Sequence, residues 1–177
     1  MISDPLSNRK LLDTPFQKLF RYVATQDDSS YLCIQTALRF RQDVCGGEDR
    51  IRAYNTHLAI EGGKRIASIL GTEVMEETGN PTRCFFANVR LPLTIGDHGT
   101  DIRQEKALQV VEWVVEKLVD DFDTYMAVYL HAGKIWTRFS AQIYIDLKDV
   151  ERGANALKEI CKRVEAGEHL LEMESGA

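Results

Sequence analysis

The sequence predicts an α+β fold in which a roughly three-stranded antiparallel sheet is covered by helices, and three observations carry that expectation. Apolar residues recur at helical spacing over about 48–70, 101–121 and 146–168. They recur at strand spacing, or in short apolar runs, over 84–91, 125–130 and 134–145. A His131-Ala132-Gly133 segment between the last two strands is a hairpin signal. The resulting order is helix, helix, strand, helix, strand, strand, helix, with no internal repeat.

Residues 1–30 show no sustained period. Asp27, Asp28, Ser29 and Ser30 then offer side-chain oxygens to cap a helix carrying Leu32, Ala37, Leu38 and Phe40, expected to reach about Val44 and stop at Gly46-Gly47. The helix over 48–70 is expected to bury Ile51, Tyr54, Leu58, Ile66, Ile69 and Leu70. Gly62-Gly63 lies inside it, at a cost of about 2 kcal/mol against alanine, which points to close packing or a bend. After a turn through Thr78, Gly79, Asn80 and Pro81, the strand over 84–91 is closed by Pro92. Residues 94–100 read as a loop. The helix over 101–121 has Leu108, Val111, Val115, Leu118 and Val119 along its apolar side, and the last helix buries Val150, Leu157, Ile160 and Val164. The residues before the 48–70 helix do not belong naturally to this layer.

Composition excludes several function classes. The chain has 177 residues, long enough for one sizeable core, with 44% hydrophobic and 28% charged residues, which argues against disorder. A net charge of −5, with Lys and Arg scattered among acids, leaves no basic stripe for nucleic acid. No apolar run is long enough to span a bilayer, the first residues lack a signal-peptide pattern, and a cytoplasmic location is expected. Cys33, Cys45, Cys84 and Cys161 lack the spacing of a zinc site and read as small hydrophobes. His57, His98, His131 and His169 are too dispersed to suggest acid–base chemistry, and no nucleophile elbow is present.

One charged residue stands out. Arg138 sits inside an apolar alternation with Ile135, Thr137, Phe139, Ala141, Ile143 and Ile145 on one side and Trp136, Arg138, Ser140, Gln142 and Tyr144 on the other. A guanidinium there needs an anion. Its planar fork, flanked by the hydroxyls of Ser140 and Tyr144, suits a carboxylate, and a structural ion pair with one of the chain's own acids is the competing reading.

Four segments in order give these residues a family resemblance. They are Phe20-Arg21-Tyr22-Val23-Ala24-Thr25-Gln26-Asp27; Gly46-Gly47-Glu48 followed by Tyr54-Asn55; Asn88-Val89-Arg90-Leu91-Pro92-Leu93; and Arg138 with Ser140 and Tyr144. Across nearly the whole chain this resembles the C-terminal part of class V aminotransferase-like enzymes of fold type I, which depend on pyridoxal phosphate. The nearest likeness is to the group related to isopenicillin N epimerase and cysteine-sulfoxide lyases. The resemblance implies that Thr25 contacts the cofactor phosphate, commonly that of a neighbouring subunit in a dimer, and that Arg138 holds a substrate carboxylate. Ala24 replaces a family glycine beside Thr25, and a methyl group restricts the backbone there. Read without the family, Thr25 is a turn or capping residue.

The resemblance also divides the chain. Residues 1–46 become a helical remnant of a large α/β domain that binds pyridoxal phosphate, 47–170 the small α+β domain with its long linking helix, and 171–177 a disordered tail. The family's Schiff-base lysine, pyridinium partner and ring-stacking residue all lie upstream of the segment matching Met1, while Lys10 and Lys18 read as solvated. Two functions are therefore expected as alternatives. One is the C-terminal part or subunit of a pyridoxal-phosphate-dependent transferase or lyase acting on an amino acid, inactive alone, binding no cofactor in isolation, and completed by a large-domain chain or by oligomerisation. The other is a non-catalytic interaction module that binds a partner protein, such as an intact relative.

Overall fold

The computed structural model describes residues 14–15, 27–75, 84–99 and 101–175. The N-terminal helices are α1 (Ser29–Leu32) and α2 (Ile34–Asp43), followed by the long α3 (Glu48–Leu70). Strand β1 (Phe86–Arg90) leads through a 3-10 turn (Gln104–Lys106) into α4 (Ala107–Phe122), and β2 (Ala127–His131) and β3 (Lys134–Ser140) form a hairpin. Helices α5 (Leu147–Glu165) and α6 (Glu168–Ser175) close the described chain.

The strands form an open antiparallel sheet in the order β1-β3-β2. Strand β3 is central because the Ala132-Gly133 turn folds it back on β2 while its other edge pairs with β1. Both turn residues have positive φ, 49° and 71°, the geometry of a two-residue hairpin loop that matches strand twist. Helix α3 packs on β1, α4 packs on β2, and α5 packs against both helices. Ala87, Val89, Val128, Ile135 and Phe139 face this helical layer and are buried with Leu58, Ile66, Val114, Leu118, Leu157 and Ile160. Thr137, wholly buried among them, donates its hydroxyl to the Ala127 carbonyl at 3.2 Å. The outer edge of β1 is covered as well: Met75 N–H donates to the Asn88 carbonyl and Arg90 N–H to the Glu73 carbonyl.

Each helix end has a local cause. Gly71 at φ 70° ends α3, a left-handed conformation that costs glycine little. Asp146 caps α5 by accepting from the Lys148 and Asp149 N–H groups, and the Asp149 carboxylate in turn accepts from the Asp146 N–H, completing a capping box. Glu48 and Asp49 place negative charge in the first turn of α3, where the helix dipole favours it.

The glycine pair within α3 is explained by packing, not by a bend. A β-carbon on Gly62 would lie 2.6 Å from Phe139 Cε1, and one on Gly63 would lie 2.7 Å from Ala87 Cβ. Helix α3 therefore rests directly on β3 and β1.

Several sequence expectations are corrected. The alternation over 134–145 stops at Ser140, because Ala141 N–H donates to the Phe85 carbonyl beyond the start of β1 and residues 142–145 close a turn. Helix α4 begins at Ala107, and Leu108 and Val119 are exposed while Val110, Trp113 and Val114 are buried. Valines occupy several sides of that helix, so hydrophobicity alone leaves the buried side unspecified and contact with β2 selects it. Tyr54 is 42% exposed and donates its hydroxyl to the Ile145 carbonyl. The first predicted helix is broken at Cys33, and neither piece buries any residue. The last helix, expected to about Glu168, ends at Glu165, and the chain turns at Gly167 and continues as α6. Thr25 and the expected turn at 78–81 lie outside the described residues.

Helix α6 is fixed by a charged and aromatic cluster. Arg163 holds Glu168 through two bonds, at 2.8 and 2.6 Å, and Asp121 at 2.7 Å. The Arg163 and Lys117 cations lie over the Trp113 ring at 5.4 and 5.6 Å, and His169 meets that ring edge-on. Burial holds the His169 imidazole below its ordinary value, and its Nδ1 is buried without a partner.

Two predictions follow from this packing. Gly62→Ala should lower the unfolding free energy by about 1–3 kcal/mol through overpacking, and Phe139→Leu in the same chain should recover part of the loss in urea titrations. The unfolded chain takes up a proton on His169 as the pH falls below about 6.5, while the folded protein still excludes it; stability therefore declines with falling pH until the folded value is passed. His169→Phe should flatten that part of the stability profile, measured by urea titration between pH 7.5 and 5.

Candidate functional site

The helices cover one face of the sheet, so the opposite face is where a polar site can form. Strand alternation puts Trp136, Arg138 and Ser140 on that face, where Trp136 is buried and Arg138 and Ser140 are exposed. Arg138 lies at the middle of the sheet, opposite Asn88 on β1 and Ala127 on β2. Its side chain is exposed, and among the described residues no carboxylate or other acceptor engages it. Four other arginines are paired, Arg41 with Glu48, Arg65 with Glu151, Arg90 with Glu73, and Arg163 with Asp121 and Glu168, while Arg39, Arg50, Arg52, Arg103 and Arg152 are exposed like Arg138.

The surroundings extend the polarity of this face. Tyr129 lies opposite Trp136 on β2; burial pushes its phenol above the ordinary value and the charge of Arg138 opposes that shift. Asn88 directs its Nδ2 at the Met75 sulfur, 3.8 Å away, and its Oδ1 is buried without a hydrogen-bond partner. Next to it Arg90 forms a two-point ion pair with Glu73, at 2.7 and 3.1 Å. An unpaired guanidinium on a firm strand, beside a pair already satisfied, can accept an incoming carboxylate with two parallel N–H bonds.

Of the three residues read together in the sequence, Arg138 and Ser140 share the strand face. Tyr144 does not join them. It lies in the turn after β3, 79% exposed, where it lines a cleft beneath α2 whose walls include neither Arg138 nor Ser140. Thr25 falls outside the described residues. The buried, unpartnered oxygens of Asn55 and Asn88 were not singled out by sequence reasoning as functional, because an orphaned acceptor is a property of packing.

The fit to pyridoxal phosphate can be tested on these residues. The cofactor requires an unengaged amine for its aldehyde. Lys134 shares the open face, but it stands about 13 Å along the strand from Arg138. Its Nζ is 3.7 Å from the Glu73 carboxylate. On this face the described residues thus present an exposed guanidinium and no unengaged amine for the cofactor's aldehyde. Among them there is also no His, Cys, Asp and Glu grouping suited to a metal ion, and no helix long and apolar enough to cross a membrane.

Comparison with known proteins places these features in context. The chain is similar to L-cysteine desulfhydrase-like proteins. It is 39% identical over 165 residues to L-cysteine desulfhydrase-like protein lolT2 of Epichloe uncinata, a match covering 84% of this chain and 36% of that protein. The lolT1 protein of the same organism is 38% identical over the same shares. Hercynylcysteine sulfoxide lyase of Schizosaccharomyces pombe is 26% identical over 136 residues, covering 77% of this chain and 30% of the lyase. No family model matches the chain. The chain therefore spans about a third of the length of these relatives, and their names agree with the lyase side of the resemblance seen in the sequence.

The four cysteines differ sharply in their surroundings. Cys33 is exposed at the junction of α1 and α2, whereas Cys161 is buried in α5 and burial pushes its thiol up to about 12. Iodoacetamide at pH 8 should modify Cys33 readily in the folded protein and leave Cys161 intact, as read by peptide mass mapping.

Proposed function

We propose that this chain is the C-terminal part of a pyridoxal-phosphate-dependent lyase acting on an amino acid, and that Arg138 binds the substrate carboxylate. The observation that carries this reading is the exposed guanidinium at the centre of the open sheet face, unpaired among the described residues, in a chain similar to desulfhydrase-like and sulfoxide lyase proteins. When bound, pyridoxal phosphate supplies the electron sink for cleavage next to the substrate's α-carbon. Its lysine anchor is assigned to other polypeptide on the resemblance, and the described amine on the Arg138 face is held by Glu73. Thr25 is assigned to the cofactor phosphate on the resemblance alone.

The role of this chain is then to bind and orient. Two guanidinium N–H groups fix both carboxylate oxygens, which sets the direction of the α-carbon relative to whatever covers the open face. A complementary large-domain chain or a neighbouring copy in a homo-oligomer completes the enzyme, in the cytoplasm. A second reading, a non-catalytic interaction module, is favoured by one observation: α1 and α2 bury no residue and expose Tyr31, Leu32, Ile34, Leu38 and Phe40.

Two measurements test the proposal. The isolated chain, mixed with pyridoxal phosphate, should retain no aldimine absorbance after dialysis; cofactor fixed by borohydride onto a lysine of this chain would overturn the division of labour. In a chimera joining this chain to the unmatched upstream part of lolT2, Arg138→Lys should raise KM for L-cysteine by about tenfold or more, with a smaller change in kcat. An unchanged KM rejects the carboxylate role of Arg138.

A further inference from the structure

Strand pairing sets the open face of the sheet out in rows. Arg90, Trp136 and Tyr129 share one row, Asn88, Arg138 and Ala127 the next, and Phe86 and Ser140 the one after. Trp136 is buried, and its indole N–H donates to the His131 carbonyl at 3.2 Å, so it offers no free donor. On the β1 side of Arg138, Asn88 directs its amide N–H at the Met75 sulfur and buries its oxygen. On the β2 side stands Ala127, whose methyl group is the smallest side chain of these rows. The guanidinium therefore has a gap beside it on that side.

Tyr129 bounds the gap. It lies two residues from Ala127 along β2 and so diagonal to Arg138, a separation that an aromatic and a long side chain can bridge. The two groups sense one another, since the charge of Arg138 opposes the upward push of burial on the phenol. Held above its ordinary value, the phenol keeps its proton at neutral pH and can donate it to a hydrogen bond. Among the described residues, no hydrogen bond engages this half-buried hydroxyl. A tyrosine hydroxyl taken partly out of water ordinarily finds a partner, and a guanidinium has no acceptor to offer. Two kinds of donor converging on one gap suit a ligand with paired acceptor oxygens.

We infer that Tyr129 is a second carboxylate-binding residue that also determines specificity: its hydroxyl donates to one oxygen of the carboxylate held by Arg138, in the gap over Ala127. The inference rests on the reading of Arg138 as the carboxylate residue and adds a third donor to it. Selection follows from that donor. An amine without a carboxylate leaves both the phenol and the guanidinium unpaired as the face is covered, so the site favours α-amino acids over the corresponding amines.

In the chimera with the upstream part of lolT2, competitive inhibition by L-alanine is compared with inhibition by ethylamine, the same molecule without its carboxylate. Tyr129→Phe removes only the hydroxyl; it should weaken L-alanine about tenfold and leave ethylamine and the thermal midpoint unchanged. Ala127→Leu keeps the hydroxyl and fills the gap, and the same selective loss is expected. Equal loss for both inhibitors, or none for L-alanine, overturns the inference. On this chain by itself the probe is acetate, read by NMR of ring-labelled tyrosine against chloride at equal ionic strength. Acetate should move the Tyr129 signal, assigned by its disappearance in Tyr129→Phe, and Arg138→Gln should abolish the movement; a signal that stays in place overturns the inference. The Arg138→Lys result separates the two assignments. If KM for L-cysteine rises there while Tyr129→Phe changes nothing, only the Tyr129 assignment falls; if Tyr129→Phe selectively weakens L-alanine while Arg138→Lys leaves KM unchanged, the Arg138 assignment falls and Tyr129 remains a carboxylate donor.

Discussion

Helix α3 meets the sheet at Gly62 and Gly63, where the missing side chains let Phe139 and Ala87 lie against the helix backbone. That close approach fixes the distance between the helical layer and the two strands β1 and β3. Because successive residues of a strand point to opposite faces, seating Phe139 under α3 determines that Arg138 emerges on the other side. The position of the candidate carboxylate grip is therefore a consequence of core packing. The helix dipole, the capping box on α5 and the covered edge of β1 support this frame.

The molecule keeps its two exposed surfaces apart. One is the open sheet face, polar and centred on Arg138; the other is the cleft beneath α2, apolar and marked by Asn55. Arg138 is exposed on the first, and Asn55 holds a buried oxygen without a partner among the described residues at the second. The Arg163 cluster that pins α6 across Trp113 satisfies its ion pairs and leaves His169 Nδ1 buried without a partner.

Much of this was legible in the chain. The 48–70 helix was read from its period and its flanking glycines, and the structure ends it at the same residues. The hairpin was read from Ala132-Gly133, since only a tight turn places two strands so near in sequence. The buried side of α5 was readable because Val150, Leu157, Ile160 and Val164 leave one apolar stripe. Helix α4 resisted the same logic, its valines being spread too widely for period to select a side. The end of β3 at Ser140 was hidden as well, because alternation continues to Ile145 although β1 offers no partner there.

By itself, the sequence determined the α+β class, the long helix and the placement of Arg138 in an apolar alternation, because period, turn chemistry and residue charge are local properties. Tertiary structure alone decided that Arg138 has no partner among the described residues, that Tyr144 turns away to the cleft beneath α2, and that Asn55 and Asn88 hold buried acceptors without donors. Those facts depend on which distant segments come within hydrogen-bonding distance, a few ångströms that no spacing along the chain encodes.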